Sequence, residues 1–447
     1  MAGTHRRCDV PAARRRATGR AAACRTGVRP WTYPTALFLT VLVTVLLLPL
    51  LPDAAAVPAG TTARPAATRP APGPGRRAVA GRRFTHPGVL LSRAQLDAVR
   101  ERAAGGAEPW RSAYRAMRTD RYGSLSYTPR PTAVVRCPPG SRPGRGCVEE
   151  RQDALAAYTH ALLWYITGDR AHADKAVQIM DAWSAVVDDH TEGNAALQAA
   201  WAGSSWARAG EIVRSTYDDW PRSRVRRFAT MLRTVYLPRV TADVADYNGN
   251  WDLTMTDAAM GIAVFLDDAD AFDEAVVRFR ARVPAYFYVR DDGPLPQRPP
   301  HSRIGSASDL RTYWFDQRRF VDGIAQETCR NFRHVGYALA ATGHIAETAW
   351  HQGLDLYAEA GERLRAALTF HAGYQLGDTV PSWLCGGRLS TAMGADTEVL
   401  LNHFVHRDGA ALPDARQVAE RQRRHGDMGT DDLFVAWETL THAGNPG

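Results

Sequence analysis

The chain has 447 residues, of which 23% are charged, and a net charge of +8 at neutral pH. Fourteen arginines but only two aspartates precede Phe84, so the rest of the chain carries a net charge of −4. This balance argues against a nucleic-acid-binding protein, and the only lysine, Lys175, follows no glycine-rich phosphate loop.

The first 56 residues have the pattern of an export signal. Residues 1–35 hold eight arginines, an apolar run follows at 36–51, and Ala54 and Ala56 have the spacing of a cleavage site. The run is shorter than the roughly 20 residues that span a bilayer comfortably. We therefore expect cleavage near Ala56 and secretion. The alternative is an uncleaved membrane anchor at 1–56 with the catalytic domain outside.

Residues 57–83 are rich in proline, alanine and arginine and are predicted to be a disordered linker. The remaining residues, 84–443, are predicted to form one helical domain. An apolar segment at 152–166, a break at Thr167-Gly168-Asp169 and a second periodic segment at 170–187 predict a helical hairpin.

The hairpin pattern recurs twice. One copy is broken at 266–270, and the other near Thr342-Gly343. Repeated hairpins with few strand signals predict an all-α fold, either an α/α toroid or an α-solenoid. Two proline-rich stretches, 291–300 and 378–387, are predicted to be loops that cover or line a cleft.

Four cysteines remain after the leader. Cys137 and Cys147 bracket a turn-rich loop, which suits a local disulfide in an oxidising compartment. Cys329 and Cys385 are candidates for a second disulfide. A zinc site is the weaker interpretation because neither C-x-x-C nor H-E-x-x-H spacing occurs, and no metal is predicted.

Residues 326–337 concentrate chemically useful side chains. If this stretch is helical, Glu327, Arg330, His334 and Tyr337 lie on nearly one face, with Arg333 close by. A guanidinium, an imidazole and a phenol on one face can bind a carboxylate and move a proton. The alternative is a solvated, charged face of a helix.

A second informative stretch is 245–256. Asn248 and Asn250 flank Gly249, and Trp251 follows. An Asn-Gly pair is typical of a turn that caps a helix. The functional alternative is an amide that bonds a substrate oxygen beside a tryptophan that stacks on a sugar ring.

Several segments together resemble the alginate lyase family of secreted polysaccharide lyases. They cover much of residues 84–410, and 326–357 (QETCRNFRHVGYALAATGHIAETAWHQGLDLY) is the most specific of them; the others are 84–110, 162–183, 248–268 and 402–404. The resemblance implies an incomplete α/α toroid with a long central cleft. It also implies cleavage of uronate polysaccharides by β-elimination, without a metal or other cofactor.

The resemblance also implies roles for single residues. Tyr337 would be the acid, and also a candidate for the base, while Arg330, seven residues earlier, would position the phenol and hold its pKa down. Asn250, or alternatively Asn248, would bind the substrate carboxylate. Further substrate-binding candidates are Trp251, Glu327 and Arg333.

The chain departs from the family pattern at one point. Family members carry a histidine directly after the catalytic asparagine, but here Gly249 follows Asn248 and Trp251 follows Asn250. His334 is the substitute candidate, and His371 and His403 are weaker candidates that we expect to be structural.

Two other functions stay open at this point. A glycoside hydrolase would need two carboxyl groups across a cleft, such as Glu327 with Asp252 or Asp257. A secreted glycan-binding protein would bind without turnover. We expect the partner to be an anionic polysaccharide, not nucleic acid, and the chain to act as a monomer.

Overall fold

Helices make up most of the structure, a computed structural model that describes residues 82–446. The predicted leader (1–56) and all but the last two residues of the predicted linker lie outside the described residues. Within 82–446, no helix is both long and apolar enough to cross a membrane.

The described residues contain fifteen α-helices and two short strands. The helices are α1 (Arg93–Gly105), α2 (Trp110–Thr119), α3 (Cys147–Thr167), α4 (Arg170–Ser184), α5 (Ala195–Thr216), α6 (Arg222–Met231), α7 (Leu237–Val240), α8 (Gly249–Leu266), α9 (Ala269–Tyr286), α10 (Ala307–Tyr313), α11 (Phe332–His351), α12 (Leu356–Leu376), α13 (Glu398–Leu401), α14 (Pro413–Arg424) and α15 (Glu438–His442). Strands β1 (Val134–Arg136) and β2 (Asp189–Thr191) pair in parallel.

Two of the predicted hairpins form where the sequence indicates them. Gly168 ends α3 with a left-handed backbone, and the Asp169 side chain caps α4 by accepting from the Ala171 amide. At the next hairpin, Asp267 takes the left-handed conformation and Asp268 caps α9. A residue that permits the sharp turn is followed in both cases by an aspartate that starts the next helix.

The hairpins stack side by side in two layers. Helices α3, α5, α8 and α11 pack against one another in that order and form the inner layer. Helices α4, α9 and α12 form the second layer and pack on α3, α8 and α11, respectively. Helices α13, α15 and α1 continue the inner layer from α11 back to α3. The predicted all-α toroid of antiparallel hairpins is thereby confirmed.

The third predicted break, at Thr342-Gly343, is wrong. Helix α11 runs through both residues and ends at His351, and the turn follows at Gln352-Gly353. The Thr342 hydroxyl donates to the Ala338 carbonyl oxygen at 2.6 Å, so it is satisfied inside the helix. A Cβ at Gly343 would lie 3.1 Å from Leu400 Cγ, so this glycine serves close packing between helices and not a turn.

The two proline-rich loops meet in a small hydrophobic cluster, separate from the main core, which we call the loop cluster. Its buried members are Tyr288, Leu310, Trp314, Ile324 and Leu384. The disulfide Cys329–Cys385 ties the second loop to the segment before α11, and Cys137–Cys147 closes the earlier loop. Both expected disulfides are therefore present in the structure.

A glycine anchors the segment that leads into α11. Gly323 has φ +86°, its amide donates to the Tyr288 carbonyl oxygen, and a Cβ there would overlap the Ala366 carbonyl group. We expect Gly323→Ala to lower the free energy of unfolding by about 3 kcal/mol, since left-handed strain and overpacking add. Gly353→Ala is the matched control, because Gly353 has φ +76° with nothing within 4 Å. It should cost only about 1 kcal/mol, and equal losses in chemical denaturation would contradict this account.

Candidate active site

The segment around Tyr337 is not one continuous helix. Helix α11 begins at Phe332, and Asn331 caps it by accepting from the His334 amide at 3.1 Å. Glu327 and Arg330 therefore lie in the turn before the helix. The expectation that Glu327, Arg330, His334 and Tyr337 share one helix face is wrong, because the asparagine cap starts the helix after the first two.

The fully buried carboxylate of Glu327 is the centre of a polar cluster, here called the Glu327 cluster. Oε1 accepts from Arg330 Nη1 at 2.6 Å. Oε2 accepts from Asn250 Nδ2 at 2.5 Å and from the Tyr286 hydroxyl at 3.0 Å. A buried carboxylate requires such partners, so this cluster joins the start of α8, the end of α9 and the entry to α11.

The Asn-Gly-Asn sequence starts α8 against the same segment. Gln326 accepts from the Gly249 amide and donates to Asn248 Oδ1, both at 3.1 Å. A Cβ at Gly249 would overlap the ring of Tyr286. This packing explains why glycine and not the family's histidine follows Asn248, because Tyr286 fills the space that a histidine side chain would need.

The two asparagines differ in accessibility. Asn250 is only 3% exposed and directs its amide to Glu327, whereas Asn248 is half-buried. Trp251 is half-buried as well, and its ring lies 5.0 Å from that of the exposed Tyr247 in an edge-to-face arrangement. The start of α8 therefore presents an amide and an aromatic pair at the surface.

Tyr337 lines a cavity of about 380 Å³. Not all of the other predicted site residues line this cavity. The lining includes Arg333 but neither Arg330 nor Asn250, and its remaining polar members are mostly acidic: Asp396, Asp427, Asp431, Asp432 and Glu438. Burial and the charges of Asp431 and Asp396 raise the pKa of Tyr337 to about 12, against the opposing effect of Arg333. At neutral pH the phenol therefore carries its proton.

The expectation that Arg330 lowers the pKa of Tyr337 is thus wrong. The pKa is raised, and the guanidinium that acts on the phenol is that of Arg333. The reason is that Arg330 turns toward Glu327, which is completely buried and needs the positive charge.

His334 lies beside Tyr337, with ring centroids 5.7 Å apart. Its Nδ1 is 2.7 Å from Asn331 Oδ1, an oxygen that also accepts from the His334 amide. Nδ1 therefore carries the proton and Nε2 keeps a lone pair. Burial and the charges of Arg330 and Arg333 lower the pKa of His334 to about 4, so the neutral ring is poorly suited to neutralise a carboxylate by charge.

The two weaker histidine candidates have structural surroundings. His371 is buried, with Nδ1 2.8 Å from the Ala367 carbonyl oxygen and Nε2 3.0 Å from the Thr328 hydroxyl. His403 stacks on Tyr357 with ring centroids 3.6 Å apart. Neither residue lines the cavity at Tyr337.

The carboxylates named for a hydrolase are each bound to arginine. Asp252 accepts from Arg278 and Arg282, and Asp257 accepts from Arg208. Burial would raise the pKa of both aspartates, but the neighbouring positive charges outweigh it and hold each pKa below its ordinary value. Neither can serve readily as the protonated acid that hydrolysis requires.

Sequence reasoning missed the acidic side of the cavity. Asp396 comes from the segment before α13, and Asp431 and Glu438 from the C-terminal segment, so no local pattern connects them to Tyr337. One signal was available: a glycine inside a helical pattern indicates close approach. A Cβ at Gly336 would overlap the Asp396 carboxyl group.

Residues 82–446 contain no group of three or more His, Cys, Asp or Glu placed to hold a metal ion.

The acidic cavity predicts how stability depends on pH. Burial raises the pKa of Asp431 to about 7 although three backbone amides act against it. The folded protein thus keeps a proton that the unfolded chain releases near pH 4, and the free energy of unfolding should fall as the pH rises from about 4 to 7. Asp431→Asn should reduce that fall by roughly 1–3 kcal/mol in denaturation at several pH values. The control Glu362→Gln, at an exposed position, should leave the fall in the free energy of unfolding unchanged. Identical pH profiles for both variants would contradict the assignment of this fall to Asp431.

Comparison with known proteins finds chains with a similar sequence profile and a similar fold. A sequence profile described as alginate lyase matches residues 140–381, more than half of the chain. A variant of alginate lyase A1-III in complex with a tetrasaccharide has a similar fold, with 18% identity, a TM-score of 0.54, and coverage of 80% of this chain and 98% of that one. No curated protein matches the sequence.

Two further solved structures are similar. Alginate lyase A1-III from Sphingomonas species A1 has 17% identity and a TM-score of 0.53, with 80% of this chain and 99% of that chain covered. An alginate lyase from Bacteroides ovatus has 15% identity and a TM-score of 0.50, with 74% and 96% covered. Since the profile spans more than half of the chain, the protein belongs to the alginate lyase family and is a polysaccharide lyase.

Proposed function

We propose that the protein cleaves a uronate-containing, anionic polysaccharide by β-elimination and leaves an unsaturated uronate at the new end. The observation that carries this proposal is the juxtaposition of a protonated phenol, a neutral imidazole with a lone pair and an arginine: Tyr337, His334 and Arg333. Elimination needs an acid, a base and a group that neutralises the substrate carboxylate.

The reaction begins at C5 of the uronate. Its proton is too weakly acidic to leave unless the adjacent carboxylate is neutralised, which stabilises the enolate-like transition state. Arg333 is exposed and lines the cavity with Tyr337, so its guanidinium can bind that carboxylate in a bidentate manner. Asn248 is more accessible than the buried Asn250 and is therefore the candidate for an added amide, while the aromatic pair of Trp251 and Tyr247 is the candidate surface for a neighbouring ring.

Proton transfer then completes the elimination. The base takes the C5 proton, the C5–H electrons form the C4=C5 double bond, the C4–O4 bond breaks, and the acid protonates O4. Tyr337 is the acid in this proposal, because its phenol carries a proton at neutral pH. The Nε2 lone pair of His334 makes it the candidate base, because Tyr337, the alternative, would first have to lose the proton that it carries at neutral pH. In this mechanism Arg330, Asn250 and Glu327 position the segment that carries His334 and Tyr337.

The protein would act outside the cytoplasm. The two disulfides support this proposal, because disulfides persist in oxidising compartments.

The proposal is tested with a panel of polymannuronate, polyguluronate, glucuronan, hyaluronan and pectate, with and without a chelator. We expect the ultraviolet absorbance of an unsaturated uronate to rise on at least one polymer and to survive the chelator. Tyr337→Phe should reduce this rate at least about 100-fold, as loss of an acid–base group does. Tyr114→Phe, a partly buried tyrosine on α2, is the matched control. New reducing ends without absorbance would indicate hydrolysis, and full activity of a folded Tyr337→Phe variant would refute the mechanism.

Substitution of Arg330 and substitution of Arg333 should have different effects on stability. Arg330→Ala leaves the buried Glu327 carboxylate without its cation, so we expect a loss of roughly 1–3 kcal/mol in the free energy of unfolding together with reduced activity. Arg333 is exposed, so Arg333→Ala should change stability by no more than about 0.5 kcal/mol while turnover falls. Equal losses of stability in urea denaturation would show that the positioning role of Arg330 is wrong.

A further inference from the structure

The cavity at Tyr337 contains carboxyl oxygens that the proposed reaction does not use. Asp396 Oδ2, Asp431 Oδ2 and Glu438 Oε2 are buried and have no hydrogen-bond partner among the described residues. All three residues line the cavity. Asp396 and Glu438 are only 2% and 3% exposed. A buried acceptor without a partner is rare in a folded protein and costs free energy until a donor reaches it.

The fold holds each of these carboxyl groups in place. Asp431 Oδ1 accepts from three successive amides, those of Leu433, Phe434 and Val435, at 2.8, 2.9 and 3.0 Å. Glu438 Oε1 lies 2.6 Å from His344 Nε2. The absence of a side chain at Gly336 makes room for the Asp396 carboxyl group directly beside Tyr337. One oxygen of Asp431 and of Glu438 is thus engaged by the fold, and the other has no hydrogen-bond partner among the described residues.

The chemistry of the lining selects the ligand. Three acceptors around one cavity suit a molecule with several hydroxyl donors. A second uronate would bring its negative charge among five carboxyl groups, with Arg333 as the only basic residue in the lining. Burial, together with the neighbouring Asp431, Glu438 and Asp427, already raises the pKa of Asp396 well above its ordinary value. The volume, about 380 Å³, lies within the roughly 300–1,000 Å³ typical of small-molecule sites.

We propose that this cavity is a subsite for an uncharged sugar ring whose hydroxyl groups donate to Asp396, Asp431 and Glu438. The ring would be the neighbour of the uronate on which Tyr337 acts. The inference rests on the proposed function and names its substrate class: a polysaccharide in which uronates alternate with uncharged sugars, in preference to a pure polyuronate.

The test compares two classes of polymer at equal uronate concentration. Hyaluronan and unsulfated chondroitin represent the alternating class, and polymannuronate, polyguluronate and glucuronan represent the pure polyuronates. We expect a higher kcat/KM, followed as unsaturated uronate, on at least one alternating polymer. Asp396→Asn and Asp431→Asn should each lower the ratio of alternating to polyuronate kcat/KM about tenfold, as loss of a hydrogen bond to a buried acceptor does. The asparagine at 431 keeps the oxygen that accepts from the three amides, so at least one variant is expected to fold.

The control Glu362→Gln, at an exposed position on α12, should leave this ratio as in the wild type. A merely structural role for the aspartates would lower both rates together and leave the ratio constant, which would overturn the subsite. Activity confined to polyuronates would overturn it too, while leaving the lyase function intact. Absence of unsaturated product on every polymer would instead refute the proposed function, and this inference with it.

Discussion

The site depends on one buried carboxylate, that of Glu327. It has no exposure to solvent and is satisfied by Arg330, Asn250 and Tyr286. These partners come from three parts of the chain, so the charge can be buried only when α8, α9 and the entry to α11 are correctly assembled. Breaking such an arrangement on one side leaves an uncompensated charge in the interior. The cluster therefore couples folding to the position of the segment that carries His334 and Tyr337.

The Glu327 cluster and the cavity at Tyr337 have different roles. Arg330 neutralises the buried Glu327 and Asn250 donates to it, whereas Tyr337 and Arg333 line the cavity. The environment keeps Tyr337 protonated and His334 neutral. In the proposed reaction, a protonated acid can donate its proton and a neutral base can accept one without a prior change of protonation state. This division also explains why two arginines only three residues apart have different surroundings.

Local sequence was sufficient for two of the hairpins and for locating the segment with the candidate catalytic residues. Gly168-Asp169 and Asp267-Asp268 combine a left-handed residue with a capping aspartate, and such signals act within a few residues. It was insufficient at Thr342-Gly343, where a close helix contact and not a turn explains the glycine. It also misplaced the start of α11, because the Asn331 cap was not recognised.

The sequence by itself determined two of the helical hairpins and the resemblance to the family, and it singled out Tyr337 as a candidate, because each rests on periodicity, capping or a contiguous motif. Tertiary structure alone decided which arginine acts on the phenol and that Tyr286 fills the space beside Gly249. It also brought Asp396 and Asp431 to the cavity. The physical reason is that burial and Coulomb interactions depend on distance in space and not along the chain: Tyr286 lies 37 residues from Gly249, and Asp431 lies 94 residues from Tyr337.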